Sequence, residues 1–284
     1  MATRRVTPAP GRDLLLVALT FSSGAIDALS FVALGKVFTA FMTGNIVFLG
    51  LIAAGNPGPD VAAVATALAA FALGVFASTR MVGASGSPGR WPARVTGALA
   101  LVVLAQAAFA AGWIAVSGEP SDSMADVLAG TLALAMGMQS GAVLSLGVKG
   151  VFTTAATATL IYLSREPAVE SAPGERARYA GVLLALLAGA VSGGLLLEHA
   201  RTYAALLPLA VTSLVVAIAS GATSARRRQR NTSIAPGDLD APGRSLPPSY
   251  RPSQPLDMGA RPKTHTSKEP LTSCLPSPRR SRSS

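Results

Sequence analysis

One carboxylate lies deep in an apolar stretch. Asp27 sits about 13 residues into the run Leu14–Leu34, flanked by Ile26, Ala28 and Leu29. A charged group at that depth of a membrane costs several kcal/mol unless it is paired, hydrogen-bonded or wet. It therefore reads either as a site for a coupling proton or cation, or as a structural group. In the structural case it caps a broken helix or pairs with Lys36 or Lys149.

A second polar group follows at Met42, Thr43, Gly44 and Asn45, again between apolar residues. Glycine weakens a helix, and Thr and Asn compete with backbone hydrogen bonds. In lipid, freed backbone groups must be satisfied by protein, ligand or water. These residues either line a pocket for a small solute or bond helix to helix, as small polar residues do in membranes. Thr153, Thr154, Thr157 and Thr159 supply a comparable set of hydroxyls further on, and Gln139 is a lone amide in an apolar stretch.

The two sets belong to an internal repeat. Residues 34–46 and 146–160 share the pattern Leu-Gly…Val-Phe-Thr…Thr once two residues are inserted after Gly147. Thr39 then matches Thr153, and Thr43 matches Thr157. Seven residues before each Leu-Gly stands a polar residue, Asp27 in one half and Gln139 in the other.

The elements that must position these residues are long and apolar. The chain is 50% hydrophobic and only 13% charged, against roughly 25% charged in ordinary soluble domains. Six runs, 14–34, 61–79, 95–117, 127–146, 179–197 and 203–222, are almost free of charge. About 18 such residues suffice to span a bilayer's hydrocarbon core. With the shorter runs included, eight helical segments are expected. Those of the first half are Leu14–Leu34, Val37–Gly55, Val61–Val82 and Val95–Val116. Those of the second are Val127–Val148, Val151–Ser164, Tyr179–Leu197 and Tyr203–Gly221. Residues 1–13 form a polar leader. The apolar run behind Arg4, Arg5 and Arg12 is longer than a signal core and holds Asp27, so it reads as a retained helix.

From residue 223 onward the composition changes. Ten of the 20 prolines follow Arg226, with many serines and few large apolar residues, so 223–284 is expected to be a disordered tail. Residues 225–284 hold 12 Lys/Arg against 4 Asp/Glu, which places +8 of the net +10 there. Beside a membrane, that charge fits anionic lipid headgroups rather than nucleic acid. Cys274 is the one cysteine and cannot form an internal disulfide. His199 and His265 are far apart, so no metal or other cofactor is expected. No phosphate-cradling loop, His-rich helix or nucleophile motif is present, so no enzyme activity is expected.

Loop charges order the segments across the membrane. If 37–55 and 151–164 enter and return on one side, six segments cross and both termini are cytoplasmic. Arg80, Arg90, Arg94, Lys149, Arg165, Arg176 and Arg178 then lie inside, and Glu119, Asp122 and Asp126 outside. Only Lys36 and Arg201 break the pattern. Three crossings per half make an inverted 3+3 repeat, a common plan of secondary transporters. Seven crossings, with 37–55 spanning fully, is the alternative.

The run Gly24-Ala25-Ile26-Asp27-Ala28-Leu29-Ser30-Phe31 and the motif Phe41-Met42-Thr43-Gly44-Asn45 resemble those of the YoaK family, as do Gly137-Met138-Gln139, Leu146-Gly147 and Phe152-Thr153-Thr154. The resemblance covers roughly residues 12–221. It implies a multi-pass protein of the bacterial inner membrane, in a family without a settled activity. Many relatives carry Asn where Ser140 stands and Thr-Gly where Ala158-Thr159 stand.

The expectation is thus an all-α membrane protein of about six transmembrane helices plus two re-entrant or broken ones. Its halves, 14–117 and 127–222, would bind a small solute near Asp27, Thr43, Gly44, Asn45, Gln139, Thr153 and Thr157. It would work as a secondary transporter or permease, with Asp27 holding the coupling ion. The alternative is a non-transporting scaffold or sensor whose basic tail binds lipid or a partner.

Overall fold

Each apolar run becomes a helix, and local chemistry sets its ends. The computed structural model describes residues 10–83, 91–147, 156–164 and 175–232. Pro10 opens helix α1 (Pro10–Ala33), a position where its missing N–H costs nothing. The helix stops at a turn in which Gly35 and Lys36 are left-handed, at φ 80° and 60°. Residues 37–41 stay non-helical before α2 (Met42–Ala53). Asp60 caps α3 (Val61–Val82) by accepting from the Ala62 and Ala63 amides at 2.8 and 3.2 Å, which satisfies two donors that the first turn leaves open. There follow α4 (Ala93–Ala115), α5 (Asp122–Leu144), α6 (Ala156–Ser164) and α7 (Glu175–His199). A 3₁₀ turn at Arg201–Tyr203 leads into α8 (Leu206–Thr232).

Six helices are long and apolar enough to cross a membrane: α1, α3, α4, α5, α7 and α8. With 12 residues, α2 is roughly 18 Å long at ~1.5 Å per residue, well short of the ~30 Å core. Segment 37–55 therefore cannot span as a helix, and the seven-crossing alternative falls. The nine residues of α6 are shorter still. Several expected boundaries move: α1 starts at Pro10 inside the expected leader, α2 at Met42 rather than Val37, and α7 at Glu175 rather than Tyr179. The acidic residue Asp122 belongs to α5, where it complements the positive helix end. The tail expected from 223 begins inside α8, which continues through Arg226-Arg227-Arg228 to Thr232. Arg and Gln are good helix formers, so the helix outlasts its apolar stretch.

The helices pack across the halves rather than within them. The two most extensive pairings are α1 with α7 and α3 with α5. Inside these, α1, α5, α4 and α8 close a ring, since α1 touches α5 and α8, and α4 touches the same two. The spans of α1 and α5 are 61% and 72% buried within the protein, those of α7 and α3 only 22% and 28%. The ring is thus the core, and α3 and α7 lie outside it.

Two apolar clusters mark the ends of the bundle. One gathers Leu16 and Leu19 of α1, Val82 of α3, Val95 of α4, Val143 of α5, Val182 of α7 and Val215 of α8. The other gathers Leu29, Val64, Phe109, Leu128, Leu197 and Ala205. Hence α1, α4 and α7 run one way and α3, α5 and α8 the other. The Asp13 carboxylate meets Arg178 at 3.4 Å where α1 and α7 begin together. At the opposite end the Trp113 indole N–H donates to the Arg201 carbonyl at 2.8 Å. Phe48 and Leu49 of α2 pack on the second cluster, Tyr162 and Leu163 of α6 on the first. The two short helices therefore sit at opposite ends, and the halves are inverted, as the loop charges predict.

Glycines set the register. A Cβ on Gly24 would strike the Leu186 carbonyl, and one on Gly137 the Phe71 carbonyl. One on Gly189 would strike the Phe21 carbonyl, and one on Gly74 the Leu134 carbonyl. In α1 and α5 the matching residues are 113 apart (24 and 137, 21 and 134). In α3 and α7 they are 115 apart (74 and 189, 71 and 186). The same contact is thus made twice. This register places Ser140, not Gln139, at the position of Asp27. The Leu-Gly motif sits in the turns that follow α1 and α5, outside the helix-to-helix backbone contacts that fix the glycines. Gly97 and Gly194 meet nothing within 4 Å and are not close-packing positions.

Candidate functional site

Between α1 and α2 the chain gives up helical hydrogen bonds, and two buried-side residues restore them. The Asp27 Oδ1 accepts from the amides of Thr39 at 3.0 Å and Ala40 at 2.8 Å. Asn45 holds the preceding residue at two points. Its Oδ1 accepts from the Phe38 amide at 3.0 Å, and its Nδ2 donates to the Phe38 carbonyl at 2.7 Å. Thr39, Ala40 and Asn45 are buried, while Asp27 keeps partial exposure. The non-helical segment is thereby satisfied from within, which is the condition for irregular backbone at membrane depth. Phe38 stacks on Phe31 and Phe48 at 4.9 and 6.0 Å and meets Phe41 edge-on. Gly44 belongs to this cluster because a Cβ there would press on the Phe38 and Phe41 rings.

The expected site residues separate into groups. Asp27, Gly44 and Asn45 converge on the 37–41 segment. Thr43 and Thr157 do not, since both are exposed on the short helices. Their repeat neighbours Asn45 and Thr159 are the buried ones. Thr153 lies outside the described residues. Gln139 lies elsewhere, in the core, where its Nε2 donates to the Leu19 carbonyl at 3.4 Å. No ion pair joins Asp27 to Lys36 among the described residues, and Lys36 is exposed.

Asn45 makes a direct test of the clamp. Asn45→Asp keeps the acceptor but loses the donor to Phe38, so stability should fall by about 1–3 kcal/mol, the cost of an unpaired buried group. Thr43→Ala, on the exposed side, should change little. Thermal melting of both variants in detergent checks the contrast.

A second polar group emerges only from the packing. Ser22 and Ser23 of α1, Gln106 of α4, Gln139 of α5 and Thr212 of α8 are all at most 1% exposed. Each ring helix thus contributes to a polar layer. On α1 the serines separate Leu19 of one apolar cluster from Ile26 of the other, and Gln106 separates Val102 from Phe109 on α4. Ser22 bonds to Thr212 at 3.0 Å and donates to the Pro208 carbonyl. The Ser23 hydroxyl, both amide atoms of Gln106 and the Oε1 of Gln139 have no hydrogen-bond partner among the described residues. Each such group costs about 1–3 kcal/mol. Gln106 carried the same signal in the sequence as Gln139, a lone amide in an apolar run.

A family model described as "Protein of unknown function (DUF1275)" matches residues 15–219. The UPF0700 transmembrane protein YoaK of Bacillus subtilis (strain 168) is 37% identical over 158 residues, which is 56% of this chain and 68% of that protein. No solved structure matches the chain.

Proposed function

This chain belongs to the DUF1275 family and is a multi-pass membrane protein, and from that premise we propose that it is an ion-coupled secondary transporter or permease for a small solute. The observation that supports this reading is the inverted pair of halves, each with a short helix at its own end of the bundle. Two mirrored halves around one core give two equivalent, oppositely facing arrangements, the usual basis of alternating access. Asp27 is the coupling-ion residue in this reading. It is the one acidic residue inside a described span away from the helix ends, and its Oδ1 accepts from the backbone amides of Thr39 and Ala40. The protein would sit in the bacterial inner membrane with both termini cytoplasmic. Its basic tail would rest on anionic lipid, and it would perform no covalent chemistry.

One observation favours a second reading, a membrane scaffold or sensor. Asp27 and Asn45 direct hydrogen bonds to backbone groups, which is a structural use.

Alternating access separates the two. In a Cys274→Ser background, a cysteine replacing Ser23, which is fully buried, should react with an impermeant maleimide from either face of the membrane in turn. No labelling from either face would reject transport and leave the scaffold.

A further inference from the structure

The polar layer at the centre of the ring is not part of the Asp27 clamp and calls for its own account. Four atoms there lack partners among the described residues: the Ser23 Oγ, the Gln106 Oε1 and Nε2, and the Gln139 Oε1. All three residues are at most 1% exposed. Buried polar atoms are normally bonded, and exceptions mark strain, function or an unseen guest. Strain alone is a poor account here, because an apolar residue at position 106 would pack in the same place without the penalty.

We propose that this layer is a binding site for a small, uncharged solute that carries both hydrogen-bond donors and acceptors. The chemistry of the open atoms selects the class. A hydroxyl and two amide oxygens need donors, or offer themselves to a cation, but the Gln106 amide nitrogen needs an acceptor. A bare cation satisfies the oxygens and leaves that nitrogen unpaired. An anion would meet two amide oxygens, with the Asp27 carboxylate one helical turn from Ser23. No described residue between the two apolar clusters on the ring helices is charged, so nothing there would neutralise an ionic guest. A neutral amide-like or hydroxylated molecule carries the donors and the acceptor that these atoms call for.

The position is as telling as the chemistry. The repeated glycine contacts place the pseudo-two-fold between the two apolar clusters, where α1 and α5 pass each other. In an inverted-repeat protein this is the level equally distant from both faces. The site rests on the transport reading for its purpose but not for its existence, since the unpaired atoms are there in either case.

Acetamide, a neutral molecule with one acceptor and two N–H donors, is the probe. Saturation-transfer NMR on the full-length protein in detergent should show transfer to the acetamide methyl protons. In Gln106→Leu the signal should fall to that of protein-free micelles, while the melting temperature rises because the unpaired amide is gone. Ser23→Ala, a milder change, should weaken the signal and guards against a folding failure of the first variant. Equal transfer from wild type and Gln106→Leu, or none from wild type, overturns the proposal. Binding of acetamide without two-sided labelling at position 23 would keep the site and remove the transporter. Two-sided labelling without acetamide binding would do the reverse.

Discussion

Asp27→Asn is expected to abolish cation flux while leaving the protein folded, and Asp27→Ala to unfold it more readily. The carboxylate serves two ends. Its Oδ1 accepts from the Thr39 and Ala40 amides at 3.0 and 2.8 Å, and it is the one acidic residue inside a described span away from the helix ends. Asparagine keeps an acceptor in the same place, so the 37–41 segment stays anchored. The loss is limited to the charge assistance, which makes such bonds roughly twice as strong as neutral ones. Alanine leaves two buried N–H groups unmet, at about 1–3 kcal/mol each. Proton and sodium influx into proteoliposomes should drop at least about tenfold in Asp27→Asn, which is ~1.4 kcal/mol of lost coupling. Undiminished flux would refute the coupling role. A melting temperature unchanged in Asp27→Ala would refute the clamp.

The second large effect is expected at glycines, and its sign depends on which glycine. A methyl group on Gly24, Gly74, Gly137 or Gly189 runs into backbone of the partner helix. Backbone cannot rotate away as a side chain can, so the helices must part. Overpacking of this kind costs about 1–3 kcal/mol or more. In a membrane little offsets it, because helix association there depends on close packing rather than on exclusion of water. Gly97→Ala and Gly194→Ala meet open space within helices α4 and α7. They should be neutral or stabilising by roughly 0.5–1 kcal/mol, the helix preference for Ala over Gly. Thermal melting of the six variants gives the ordering directly. Equal behaviour of the two sets would refute the packing register.

Much of this architecture was legible in the sequence because membranes simplify the code. Helix α3 begins and ends where the apolar run does, at Val61 and Val82. The arginines at 80 and 94 foretold that α2 would return rather than cross. What stayed hidden was partnership. Asp27 announces a constrained carboxylate, but nothing in its neighbourhood says that the constraint is the amide pair 12 and 13 residues later. Thr43 and Asn45 look alike as small polar residues, yet one is exposed and the other buried, because a helix turns them apart. The alignment of Asp27 with Gln139 is off by one residue because the motif letters match in turns outside the helices, while the physical register is fixed where backbones touch. Gln106 has no repeat-mate in the motif and only the ring of helices gives it meaning.

The exchanged pairing of α1 with α7 and α3 with α5 bears on how the molecule is made. When the ribosome has delivered the first four helices, the faces carrying Gly24 and Gly74 still have no backbone to meet. Their partners emerge only with α5 and α7. The early helices must wait in the bilayer as loosely held neighbours until α5 closes on α3 and, later, α7 closes on α1. The halves, made as separate chains in one membrane, should therefore find each other, and either half alone should be cleared by the cell's proteases.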